Sequence, residues 1–336
     1  MLFYVGTLTR EGGEGILSCR LTDEGIVRVD TYTQTADPNY LIWSEKNQRL
    51  YATGSDADGE HRGTVSEFAS VSGALRLISR QRTDGNGPCF LTMDADHHYL
   101  YCPNYGTGSL CVFPARPALG AYAQQTVHEG QGPNQKRQAG PHPHQATFVP
   151  GTRYLLAADL GTDEIWLYQA DPESGKLLLR SKTRLHGGPR HIAYGRPGLA
   201  YLAHELSNEV TVLRVEGERL IPVQTLSTLP EGAEIQNTAA AIRISEDGKK
   251  LYVSNRGHGS IAVFDIMEDG TLRGHGHIPA GIFPRDFQVL RDGSFLVADQ
   301  RAGVRWLDAQ GREQAFLTQM GAVCICIPED AQDDRG

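Results

Sequence analysis

Apolar and polar residues alternate along this chain in short runs, and the runs stop at turn dipeptides. YLLAADL, LYVSN and SIAVFDI are of this kind, with turns at Pro150-Gly151, Asp247-Gly248 and Asp292-Gly293. No segment sustains a helical period, so the pattern predicts strands throughout. The runs are also grouped. GPRHIAYGRPGLAYLAHELSNEVTVL, at 188–213, recurs in variant form from positions 37, 87, 143, 237 and 283. Each copy reads as a Pro, one variable residue, an apolar strand, a turn, a second strand closed by a small polar residue, and a third strand. The closing residues are Gly54, Asn104, Asp159, His204, Asn255 and Asp299, spaced 50, 55, 45, 51 and 44 residues apart.

That period, with four short strands per unit, predicts a β-propeller. Six copies are internal and a seventh is split. LFYVGTL matches a second strand with Gly6 at the stop, followed by GILSCRL and GIVRVDTYTQT. Its missing first strand is GAVCICIP at 321–328. The expectation is an all-β, seven-bladed propeller of four-stranded antiparallel blades. The C-terminal strand would close the ring against the N-terminal blade and leave no free edge there. We expect a single domain over residues 1–336. One connection, from Pro114 to Pro141, exceeds the repeat. Part of it must be the outer strand of blade three, and the remainder, GQGPNQKRQAGP, is long enough to be functional or mobile.

Composition adds modest constraints. The apolar fraction is 40% and the charged fraction 21%, as in ordinary globular proteins. The net charge of −8 argues against nucleic acid or an anionic membrane as partner. It also makes any local cluster of Arg and His conspicuous. MLFYVGTLTR has no basic n-region or long apolar run, and the six cysteines form no CxxC pair, so we expect reduced thiols and a cytoplasmic location. No P-loop, G-x-S-x-G or dinucleotide fingerprint is present, and no cofactor is expected.

In a propeller the first strand of each blade lines the axis. The residue after each repeat Pro, or the aligned residue where a copy lacks Pro, therefore belongs to one ring at one mouth: Asn39, Cys89, His144, Arg190, Ala240, Arg285 and Val323. The residue after each strand stop lies near the same end, which adds Tyr105, Leu160, Glu205, Arg256 and Gln300. Three guanidiniums, an imidazole and one carboxylate then converge on an anion site, since the Arg fork suits carboxylate or phosphate. Blander readings stand beside this one. Arg190 and Arg285 could pair with Asp286 or Asp159, and Glu205 could serve only to tie down Arg190 or Arg256. Asn104, Asp159 and Asn255 could stop strands and bind loop backbone. His142 and His144 could ligate a metal, but no Asp, Glu or Cys accompanies them at metal spacing.

GPNQKRQAGPHPHQATFVPGTRYLLAADLGTDEI, GPRHIAYGRPGLAYLAHELSNEVTVL, AAAIRISEDGKKLYVSNRGHGSIAVF and FPRDF together resemble the seven-bladed propeller lactonases, over essentially the whole chain. That family includes bacterial 6-phosphogluconolactonases and fungal carboxy-muconate cyclases. GRPG at 195–198 departs from the family's usual P-D-G-type turn. The resemblance implies a metal-independent site of His144, Arg190, Glu205 and Arg256, with Arg285 also matching. The expected reaction is hydrolysis of an anionic sugar lactone in carbohydrate metabolism, as in the pentose phosphate pathway. Glu205 or His144 would be the base, and Arg190 or Arg256 would stabilise the oxyanion. Arg285, Asn255, Asp159, Arg137 and His191 are the candidate substrate contacts; among them Arg285 would hold a 6-phosphate, joined by Lys136 or Arg137 of the long connection. The alternatives are a carboxy-muconate cycloisomerase and a non-catalytic binding or scaffold propeller. We expect a monomer or weak homo-oligomer.

Overall fold

A computed structural model describes residues 1–56 and 62–332. Their strands form seven four-stranded antiparallel sheets. Blade one is the split one: Ala322–Cys326 is innermost, followed by Leu2–Thr7, Gly15–Thr22 and Gly25–Tyr32. The pairing of Tyr4 with Cys326 and of Val5 with Ile325 closes the ring as expected. Blades two to seven begin with Leu41–Ser44, Thr92–Met93, Pro143–Phe148, Pro189–Tyr194, Ala239–Ile244 and Pro284–Val289. These innermost strands pack on one another around the axis. Among the described residues no helix is long and apolar enough to cross a membrane.

Strand alternation sends every second side chain toward a neighbouring blade, and seven apolar clusters result, one at each junction between blades. The tyrosine of the second strand both fills a junction and crosses it. Tyr4 donates to Ser70 Oγ (2.6 Å), Tyr101 to the Gly175 carbonyl (3.0 Å) and Tyr201 to the Gly270 carbonyl (2.9 Å). Each acceptor lies in a hairpin of the next blade. Burying such a ring contributes about 1.5–3 kcal/mol, and the hydroxyl bond about 1 kcal/mol more.

All six cysteines are buried and unbridged. Burial pushes the thiols of Cys19, Cys89, Cys111 and Cys326 up to about 12, and those of Cys102 and Cys324 well up. Thiolates are the reactive form. We therefore expect an aromatic disulfide reagent at pH 8 to label the native protein very slowly and all six thiols after denaturation. Rapid labelling of any thiol in the folded chain would contradict this packing.

The feature that matters for the site is a break in register. The first strand of blade four pairs Pro143 with Asp159 and Gln145 with Ala158, which skips His144. Blade five skips Arg190 in the same way, and blade seven skips Arg285. Blade six skips Ala240 and Ala241, and blade one skips Val323. Such a bulge leaves one residue out of the ladder and re-aims its side chain. The ring read from the repeat is thus a ring of bulges. In blades two and three the regular first strand starts later, beyond Asn39 and Cys89. In blade two Thr53 Oγ1 accepts the Tyr40 N–H at 2.9 Å, whereas in blade three the Pro103 carbonyl accepts the Cys89 N–H at 3.2 Å.

Below this ring the axis is filled. His144 meets His191 edge-on (5.0 Å between centroids), His191 meets Phe90 (5.3 Å), and Phe90 lies 4.1 Å from Tyr40. Arg243 pairs with Asp286 at 2.6 Å, and Asp286 also accepts the Ile325 N–H. Gln145 and Gln288 bridge neighbouring first strands through Ile192 and Ile325.

Candidate active site

Glu205 is the centre of the site. Its Oε2 accepts from Arg190 Nε (2.9 Å) and Arg256 Nη2 (2.8 Å), and its Oε1 from Arg137 Nη2 (2.5 Å). The backbone that positions it is built from two glycines. The Gly188 carbonyl accepts the Glu205 N–H at 2.8 Å, and the Gly187 carbonyl accepts that of Leu206 at 2.9 Å. Both glycines have positive φ, 98° and 73°, and a Cβ on Gly188 would meet Leu206 Cγ at 2.7 Å. The GGPR sequence therefore sets Arg190 and its partner carboxylate with one turn.

The charges do not balance. Four guanidiniums, of Arg137, Arg190, Arg256 and Arg285, gather around one carboxylate. Arg285 has only neutral oxygens, Gln300 Oε1 at 3.3 Å and Asn39 Oδ1 at 3.2 Å. Asp286 and Asp159, its conceivable partners, are engaged with Arg243 and His128. Burial and then the Arg256 charge push the guanidiniums of Arg190 and Arg285 below their usual range. Burial alone would raise the Glu205 carboxyl. The surrounding cations, Arg256 first and then Arg190, override it and hold the carboxyl well below the ordinary range.

His144 is 5% exposed, yet its ring forms no hydrogen bond and its Nδ1 is buried without a partner. It is fixed instead by contacts with the rings of Tyr105 (5.6 Å) and His191 (5.0 Å). Cys89 Sγ donates to its carbonyl at 3.2 Å. Burial, then Arg190, drives the imidazole well below its usual pKa, so it is neutral near pH 7. A buried polar atom without a partner costs about 1–3 kcal/mol, and such an atom calls for a water, a ligand or a catalytic role.

The long connection contributes directly. Its outer-strand part is Gln124–Val127, as expected for blade three. The remainder is tied down, since buried Gln138 donates to the Leu160 carbonyl (2.8 Å) and to Asp163 (2.6 Å). This anchoring delivers Arg137 to Glu205 and to the Tyr105 hydroxyl (3.2 Å). Arg137 is therefore committed to the carboxylate hub, while Lys136 is exposed beyond it.

Three other candidates lie close by but not at the surface of the mouth. His191 packs beneath His144, buried against Phe90, so it supports the catalytic histidine candidate instead of facing solvent. The substrate contacts expected of Asp159 and Asn255 are corrected by their surroundings. Asp159 is fully buried; its Oδ1 accepts the N–H groups of His142, Gly161 and Thr162, and its Oδ2 meets His128 Nδ1 at 2.6 Å. Asn255 is equally buried and spends its amide on Thr228 and Asn237. A side chain that satisfies a loop has no group left for a ligand. His142 bonds the Tyr105 carbonyl and stacks on that ring, which settles its orientation. The GRPG turn lies at the opposite end of blade five, by a small cavity of about 110 Å³.

The comparisons with known proteins agree with the seven-bladed fold. The family described as "Lactonase, 7-bladed beta-propeller" matches residues 2–305. The chain belongs to that family. A 6-phosphogluconolactonase of Bacillus subtilis is 33% identical over 97% of this chain and 95% of its own length. An uncharacterized Staphylococcus epidermidis protein is 34% identical over 90% of both. The structure of the periplasmic gluconolactonase of Pseudomonas aeruginosa superposes with a TM-score of 0.85 at 28% identity, covering 97% of each chain.

Proposed function

We propose that this protein hydrolyses an anionic sugar lactone, with a 6-phosphogluconolactone as the foremost candidate. The observation that carries the reading is the unbalanced mouth: four guanidiniums, one carboxylate and a neutral, unpartnered imidazole. An excess of fixed cations favours an anionic substrate and the negative charge that develops on a lactone carbonyl oxygen. The relatives named above support the lactone class.

His144 is the base in this mechanism. Its neutral ring takes a proton from a water that attacks the carbonyl carbon, and the forming imidazolium is stabilised by Glu205 nearby. Arg190 and Arg256 receive the oxyanion. The ring oxygen leaves with a proton as the ester bond breaks, giving the hydroxy acid. Glu205 is a poor base because three guanidiniums hold both its oxygens, so it acts by fixing those arginines. Its convergence with them deep in the mouth also speaks against a scaffold, which needs no such set. The six buried thiols favour a reducing, cytoplasmic setting.

The test is proton release from 6-phosphoglucono-δ-lactone and from glucono-δ-lactone, measured against spontaneous opening. No acceleration of either lactone would remove the proposal. The pH dependence follows from the sign of the His144 shift. The active form is the neutral ring, present above its pKa, and that pKa lies below the usual value of about 6.5. Enzymatic kcat/KM should hold level from pH 8 through 6.5 and fall only at more acid pH. A fall centred at or above 6.5 would contradict a buried, cation-flanked base.

A further inference from the structure

Phe283 precedes Pro284 at the mouth of blade seven, and two guanidiniums lie over its ring. The Cζ of Arg256 is 5.6 Å from the ring centroid and that of Arg301 is 4.2 Å. One buried carboxylate sets this arrangement. Asp299 Oδ1 accepts the N–H of Phe283 (3.0 Å) and of Arg301 (3.2 Å), while Oδ2 accepts that of Ile282 (2.7 Å). The charge of Asp299 itself is shared with Arg305, at 3.5 Å. Some exposed arginines, such as Arg82 and Arg312, are paired with acids, and others, such as Arg153 and Arg219, are not among the described residues, but those lie over no aromatic ring at the mouth. Arg301 is exposed too, but no carboxylate among the described residues pairs with its guanidinium. The residue before it, Gln300, accepts from Arg285 and donates to Glu11 at 2.6 Å.

We propose that Arg301, held over Phe283, is a specificity-determining residue that receives a phosphate at the far end of the lactone. This rests on the lactonase reading and extends it. The carbonyl of a six-carbon lactone and its terminal phosphorus lie roughly 6–7 Å apart, a few bond lengths. Arg256 at the carbonyl end and Arg301 at the other lie 5.6 and 4.2 Å from the centroid of one aromatic ring, so both forks are within reach of a ligand of that size. The stacking also restrains the Arg301 fork before a ligand arrives, which lowers the entropy lost on binding. Arg285, fixed by Gln300, adds a second unneutralised fork on the same segment. The phosphate role expected of Arg285 thereby extends along blade seven to Arg301, while Arg137 of the long loop is committed to Glu205.

The experiment compares two lactones and two products in wild type, Arg301→Ala and Arg301→Lys. In Arg301→Ala the kcat/KM ratio of phosphorylated to unphosphorylated lactone should fall about tenfold or more, the scale of one charge-assisted bond. The loss should sit in KM, and Arg301→Lys should recover part of it. Calorimetric binding of 6-phosphogluconate and of gluconate gives the arm that needs no turnover. Arg301→Ala should weaken the first about tenfold and the second much less. Equal losses for both members of either pair, or no loss for either, would overturn the inference. So would a wild type that binds the two products equally. Failure of the lactonase reading shows differently, as absent turnover with selective binding intact.

Discussion

His144→Ala is expected to lower kcat by about 10²- to 10⁴-fold, the usual weight of a positioned general base. The effect should fall on kcat more than on KM, because the arginines that hold an anionic substrate remain. His144 is also packed between Tyr105 and His191, so the alanine variant leaves a gap and some stability with it. His144→Gln fills more of that gap while removing the base. It should recover melting temperature without recovering turnover. Near-normal hydrolysis by a folded His144→Gln protein would eliminate this residue as the base.

Glu205→Ala should produce a different signature, in stability as well as rate. Removing the carboxylate leaves Arg137, Arg190, Arg256 and Arg285 around a site with no counter-charge. Breaking a buried ionic network in this way costs about 3–5 kcal/mol, or a fall in Tm of roughly 5–10 °C. Turnover should fall with it, since the arginines lose their fixed positions. The Arg137→Gln and Glu205→Gln double variant should be less unstable than the sum of the singles, because the two groups share one bond. A Glu205→Gln protein of unchanged Tm that has lost all turnover would favour Glu205 as the base. The pH dependence has a definite sign. The native carboxyl titrates below its unfolded value of about 4.3, so its contribution is complete above that pH. It is lost as the pH falls through the native value.

Much of this site could be read from residue spacing. The repeat Pro marks the first strand, and the position after it is the bulged residue in blades four, five and seven. That is why His144, Arg190 and Arg285 could be placed together although 141 positions separate the first from the last. Glu205 and Arg256 followed from the antiparallel return of the next strand. The errors arose where a side chain's direction is not periodic. Asp159 and Asn255 occupy the right end of their blades, but Asp159 turns to accept loop backbone N–H groups and Asn255 bonds Thr228 and Asn237. The signal was available, since Asn and Asp at strand ends commonly do this. Arg137 could be named but not placed, because the long connection has no counterpart in the other blades. Arg301 lies one residue beyond the position that follows the strand stop, and only the folded chain brings its guanidinium over Phe283.

The bulges have a consequence for how such a protein can change. A bulged residue contributes no rung to its sheet, so exchanging it alters the mouth and leaves the blade's pairing intact. Ala240 and Val323 occupy this position on blades six and one with side chains of no chemical function. They are vacant letters in an alphabet of seven, each written on a separate blade. A new acid, base or ligand could be entered at either one while His144, Arg190 and Arg285 stay as they are. Divergence of substrate within such a ring then requires no redesign of the fold, only respelling at its mouth.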